Sequence, residues 1–152
     1  MVWTPHVTVA AVVLRADRFL MVEEVPDGVA VLNQPAGHLE PEESLIDAVI
    51  REVGEETTFD FVPHHLVGIY QWQVPGTQRT YLRFCFAGEV SEPAGERMRD
   101  PEIHAVHWLT REEIAVGALP TRSPLVLRCI DDTIAGTVLP LDQLVHIAPD
   151  PA

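Results

Sequence analysis

The first apolar stretch, Val7-Thr8-Val9-Ala10-Ala11-Val12-Val13-Leu14, is nearly unbroken and reads as a buried strand. A polar turn at residues 15–18 separates it from Phe19 to Glu24, so the pair predicts a hairpin. Pro26-Asp27-Gly28 marks a turn. Asn33-Gln34-Pro35-Ala36-Gly37-His38 predicts a loop, because Pro and Gly both interrupt regular structure. From Glu42 to about Glu55 the period becomes helical: Leu45, Val49 and Val53 recur every four residues. Pro41 suits the first helical position, and Glu42 and Glu43 suit a first turn, where the helix dipole favours anions. Leu66 to Val74 and Thr80 to Glu89 predict a second hairpin around Pro75-Gly76. Val90 to Pro101 reads as a loop and Ala105 to Leu109 as a short strand. Thr110 with Glu113 predicts a capped short helix, and Ser123-Pro124 opens a last helix that stops near Gly136. The tail from about His146 is expected to be loose. Strands and helices thus alternate throughout, an α/β (α+β) pattern with no internal repeat or linker.

Composition narrows the function. Acids outnumber bases by 23 to 10, a formal net charge of −13. That argues against a nucleic-acid polymer or an anionic membrane as partner. Small phosphorylated substrates remain compatible, provided a divalent cation accompanies them. The two cysteines, Cys85 and Cys129, make no disulfide framework and point to a reducing compartment such as the cytoplasm. No signal peptide is expected, since no basic start precedes an apolar run.

The most informative residues are Glu52, Glu55 and Glu56. At about 100° per residue they occupy roughly a third of the helix circumference. Three carboxylates on one face repel. Arg51, the only base on the helix, is expected to lie to one side. A hard cation such as Mg²⁺ would relieve the cluster and could grip phosphate oxygens. The same triplet also fits a solvated acidic helix face. The glycine-containing loop before the helix offers backbone carbonyls as further oxygen ligands, and Glu43 and Arg51 are spaced to pair.

The stretch from Gly37 to Phe59 resembles the signature of the Nudix hydrolases, G-x5-E-x7-R-E-U-x-E-E-x-G-U with U apolar. Gly37, Glu43, Arg51, Glu52, Val53, Glu55, Glu56 and Phe59 fall on it; Thr58 stands where the pattern has a helix-ending Gly. The resemblance implies a Nudix fold, an α/β/α sandwich with a mixed β-sheet, as one domain over residues 1–152 with its core at about 5–141. It implies Mg²⁺, with Mn²⁺ able to substitute, and hydrolysis of phosphoanhydride bonds. Glu52, Glu55, Glu56 and the Gly37 carbonyl become metal ligands, while Glu43 and Arg51 brace the loop and helix. Further likeness at residues 5–10, 22–24, 33–40, 82–84 and 122–126 points to the NudJ-type phosphatases within that family. Their substrates are hydroxymethylpyrimidine pyrophosphate, thiamine pyrophosphate and nucleoside di- and triphosphates. A nucleoside triphosphate or ADP-ribose pyrophosphohydrolase is the alternative, and a non-catalytic Nudix binding module a more distant one. The oligomeric state, monomer or homodimer, is left open.

Water must lose a proton when it attacks phosphorus. Glu55, Glu56 and Glu102 are the candidate acceptors, with Asp100 a weaker one. Arg83 and Arg79 are candidates for phosphate contacts, since a guanidinium fork suits phosphate oxygens. Trp72 can stack on a ring; Tyr81 reads more as an ordinary sheet aromatic. His38 and Gln34 are candidates for substrate contact, although Asn33 and Gln34 also suit backbone hydrogen bonding in the turn. Arg122 is expected to brace a loop or helix start, and Cys85 to sit in the core.

Overall fold

The structure, a computed structural model, describes residues 1–151. Its strands are β1 (His6–Arg15), β2 (Arg18–Glu24), β3 (Val31–Asn33), β4 (Ala36–His38), β5 (Asp60–Gln73), β6 (Thr80–Ser91) and β7 (Ile103–Leu109). Its helices are α1 (Leu45–Thr57), α2 (Arg111–Val116) and α3 (Pro124–Ile134), followed by a single 3-10 turn at Leu141–Gln143. β1 is the hub. It pairs in parallel with β6, antiparallel with β4, and through its end with β2. β5 pairs antiparallel with β6, and β2 carries β3 and β7. The sheet is therefore mixed.

The apolar run in β1 has a simple cause: both of its faces are covered. Val9, Ala11 and Val13 pack with Ala48, Val49 and Val53 of α1. Ala10 and Val12 pack with Val126, Cys129 and Ile130 of α3. A strand buried on both sides has no polar alternation to show. Each fully buried Val or Leu contributes about 1.5–3 kcal/mol. The two layers give the α/β/α sandwich. Both cysteines are free and buried in the α3-side core. Among the described residues no helix is long and apolar enough to cross a membrane.

Several boundaries differ from the sequence expectation. α1 begins at Leu45, not Glu42. Ser44 is the N-cap, its hydroxyl accepting from the Asp47 N–H at 3.0 Å. Pro41 and Glu42 form a turn, with Glu42 at φ 68, so neither Glu42 nor Glu43 lies in the helix. The expected loop at residues 33–38 is instead the end of β3 and all of β4, split at Pro35. β5 starts six residues earlier than Leu66; register shifts between Pro63 and His65 and between Leu66 and Gly68 blur its alternation. The α2 capping box, the Ser123 cap of α3 and the left-handed Gly136 just beyond α3 are as expected. Thr58 takes the left-handed conformation, φ 70, that the missing glycine would adopt, and its N–H caps the Gly54 carbonyl at 3.0 Å.

Candidate active site

A cavity of about 880 Å³ opens over the ends of β1, β4 and β6 and beside α1. Its acidic side comprises Glu52 and Glu56 from α1, Gly37 from β4, Glu24 from β2, Glu40, and Asp100 and Glu102 from the loop before β7. The rest of its lining includes Arg83 and Tyr81 from β6, Trp72 from β5, Arg79, Arg122 and His38.

The three α1 carboxylates part company. Val49, Val53 and Glu56 lie on one helical stripe, so Glu56 is carried inward and is 6% exposed. Its Oε1 accepts the Ala36 N–H at 2.7 Å. Burial, reinforced by Glu24, Glu52 and Asp100 and only partly offset by that hydrogen bond, pushes its carboxyl up to about 9. Glu52 sits at the edge of the stripe, and burial raises it too, against the pull of Arg51. Glu55 faces outward, half-exposed, and does not line the cavity.

Arg51 does not lie to one side. Its guanidinium reaches Glu43 Oε1 at 2.7 Å, Glu52 Oε1 at 2.7 Å, Glu55 Oε2 at 3.3 Å and the His38 carbonyl at 3.0 Å. This holds Glu43 below the usual carboxylate range. Much of the expected repulsion is thus already relieved within the protein. The carboxylate Arg51 does not reach is Glu56. Glu43 also accepts the Glu40 N–H at 2.8 Å, which ties the loop to the helix.

Gly37 lets the Glu52 carboxylate lie close against the backbone. A Cβ there would lie 2.1 Å from the Glu52 carboxylate. The donors gathered at this side, from Gly37, Glu52, Glu56, Asp100 and Glu102, are all oxygens, the set a hard divalent cation prefers. Among the described residues no three acidic, His or Cys side chains already converge on one point. Glu52 is turned onto Arg51 and Glu56 onto the Ala36 amide. The residue chemistry fits a metal; the carboxylates are held by stand-in partners.

The loop before β7 is tied to the end of α1. The Asp100 N–H donates to the Glu55 carbonyl at 2.8 Å, and Arg97 pairs with Asp60 at 2.8 Å. This brings Glu102 to the cavity, its own N–H held by Asp100 Oδ1 at 2.9 Å. Arg79 lies just before β6, exposed at the rim. Trp72 and Tyr81 are cross-strand neighbours, stacked with ring centres 6.0 Å apart. Tyr81, expected as a plain sheet aromatic, belongs to the cavity wall together with His38. Burial, His6 and Arg122 hold His38 below the usual histidine range. Gln34 does not line the cavity. It is 1% exposed and donates to the Val126 carbonyl at 2.7 Å.

Glu24 is the acid that sequence reasoning passed over. The β2–β7 register shifts between Glu23 and Glu24, and such a bulge re-aims a side chain. Glu24 turns into the cavity and pairs with Arg122. Nothing in the sequence marks the bulge.

Comparison with known proteins agrees with this architecture. The Nudix domain family matches residues 4–129. The chain is 41% identical over 140 residues to Phosphatase NudJ of Escherichia coli strain K12, covering 92% of this chain and 90% of that protein. A Nudix hydrolase structure from Nitrosomonas europaea is 47% identical, covers 95% of this chain and 98% of its own, and superposes with a TM-score of 0.90. A MutT Nudix hydrolase from Burkholderia pseudomallei shares the fold at 18% identity, covering 86% of this chain and 98% of that one, with a TM-score of 0.72. The signature on β4 and α1, the mixed-sheet sandwich and these likenesses together place the chain in the Nudix family, as a hydrolase of pyrophosphate bonds.

Proposed function

We propose that the chain is a Mg²⁺-dependent hydrolase of small pyrophosphate compounds, namely hydroxymethylpyrimidine or thiamine pyrophosphate and nucleoside di- and triphosphates, with Mn²⁺ able to replace Mg²⁺. The observation that carries this reading is the presence of a buried acid, Glu56, and a buried base, Arg83, in the lining of one cavity. They are the only buried acidic and basic side chains among the described residues. A site built to receive a cation and an anion together has this form. The likeness to Phosphatase NudJ supports a phosphatase among the hydrolases of this family.

Glu52, Glu56 and the Gly37 carbonyl would hold the ion, with Glu55 able to join from the rim. Bound there, the ion supplies neutralisation of phosphate charge and a more acidic water. Arg83 and Arg79 bind phosphate oxygens and orient the anhydride. Water attacks phosphorus, and the bond from that phosphorus to the bridging oxygen breaks. Glu102 takes the water's proton, since its carboxylate makes no ion pair in the structure; Glu56 is the other acceptor on the cavity wall, and Glu55 would have to turn in from outside it. Trp72 and Tyr81 offer a stacking surface for the leaving group's ring, with His38 beside them. Glu43 and Arg51 fix the loop on the helix.

A substrate panel with Mg²⁺ tests the reading. Orthophosphate released from hydroxymethylpyrimidine or thiamine pyrophosphate is the expected result. Release of inorganic pyrophosphate from triphosphates alone, or AMP from ADP-ribose alone, would move the enzyme to another substrate class. No hydrolysis of any phosphoanhydride would refute it.

A further inference from the structure

Arg83 is 6% exposed, yet no carboxylate pairs with it. Its Nη1 donates to Gln34 Oε1 at 2.9 Å and its Nη2 to Asn33 Oδ1 at 3.3 Å. Its Nε is buried and has no partner. The contrast with Arg122, on the same cavity, is direct: Arg122 is half-exposed and pairs with Glu24. A buried cation is costly unless a counter-charge accompanies it. Here the two partners are neutral amides, and each is anchored elsewhere. Gln34 Nε2 donates to the Val126 carbonyl at 2.7 Å, and Asn33 Nδ2 to Glu24 Oε1 at 3.5 Å. Behind Arg83 lie the thiols of Cys85 and Cys129. Burial drives Cys85 to its neutral form, while Cys85 and Arg83 draw Cys129 downward.

We propose that Asn33 and Gln34 are positioning residues that clamp Arg83 without neutralising it, leaving its full charge as the receptor for a terminal phosphate. This rests on the hydrolase reading only for the identity of the anion. The amides orient the guanidinium fork, and the counter-charge it lacks is what the phosphate supplies. A carboxylate at either position would bind Arg83 more strongly and switch the receptor off.

The test is Asn33→Asp, read by titration with inorganic pyrophosphate in chelator and by steady-state kinetics with Mg²⁺. The wild type binds pyrophosphate, and Asn33→Asp weakens that binding and raises KM at least about tenfold. The new carboxylate gains Arg83 but meets Glu24, whose Oε1 accepts from the Asn33 amide at 3.5 Å, so the melting temperature changes little, and kcat changes less than KM. Gln34→Met, which removes the clamp but adds no charge, loses affinity several-fold, by less than Asn33→Asp. Cys129→Ser leaves affinity within about twofold. Unchanged pyrophosphate affinity in both Asn33→Asp and Gln34→Met overturns the proposal, as does a wild type that binds no pyrophosphate. A large loss in Cys129→Ser also overturns it, since a thiolate would then be the counter-charge. If the wild type hydrolyses no anhydride yet loses pyrophosphate binding in Asn33→Asp, the hydrolase reading fails and the clamp stands.

Discussion

The α1 side and the β6 side of the cavity hold their ionisable groups by the same means, with the signs reversed. On the α1 side, Arg51 bonds Glu43, Glu52 and Glu55, and one carboxyl, Glu56, is left buried with a single backbone donor. On the β6 side, Glu24 neutralises Arg122, and one guanidinium, Arg83, is left buried between neutral amides. Each side thus keeps one buried ionisable group, Glu56 or Arg83, without an oppositely charged partner. The lesson is that a count of acids overstates the unrelieved charge; burial and the reach of the nearest base decide which residue awaits a ligand.

Removing the inner acid should have the largest effect. Glu56→Gln keeps the acceptor for the Ala36 amide and should lower kcat by about two to four orders of magnitude, while circular dichroism stays native. Near-native turnover would show that the cation is held elsewhere. Arg83→Ala comes next, with kcat/KM falling roughly 100-fold on every phosphate substrate. The melting temperature should hold, because an unpaired buried cation adds little stability. A change confined to stability would make Arg83 a packing residue and erase the symmetry between the two sides.

The pH dependence of the metal-free protein sharpens the comparison further. Burial raises the Glu56 carboxyl to about 9 in the folded state, so folding takes up a proton between the unfolded value and about 9. Wild-type stability in chelator should fall as pH rises through that window. Glu56→Gln, which cannot ionise, should escape the fall, and its advantage should widen toward alkaline pH. Parallel melting curves for the two proteins would mean that Glu56 ionises as freely folded as unfolded. The smallest effect is expected at the end of α1. Thr58 is a β-branched residue at φ 70, so Thr58→Gly should stabilise the fold by about 1 kcal/mol, or about 3 °C. An unchanged or lower melting temperature would mean that the left-handed turn carries no strain.

The acidic side was readable in the sequence because it comes from one short segment. Gly37, Glu43, Arg51, Glu52 and Glu56 are brought together by a loop and a helix, whose periodicity is local. Even the burial of Glu56 is implicit in its spacing from Val49 and Val53, although the acidic triplet draws attention away from it. The basic side is assembled from β3, β5, β6 and the segment before α3, which are distant in sequence. Arg83 and Trp72 could be named as residue types, but the amide clamp depends on pairings across 49 and 50 residues. Glu24 depends on a bulge, and Tyr81 on cross-strand register. The start of α1 was misplaced for a related reason: Pro41 and Glu42 look like a first turn until Ser44 is seen to cap.

Whether Glu56 captures a cation is read by calorimetric titration of Mn²⁺ into the purified chain bearing a non-hydrolysable pyrophosphate analogue. Uptake by the wild type should be saturable, strongly reduced in Glu56→Gln and retained in Thr58→Gly. Equal uptake by wild type and Glu56→Gln, or none by either, would contradict that capture.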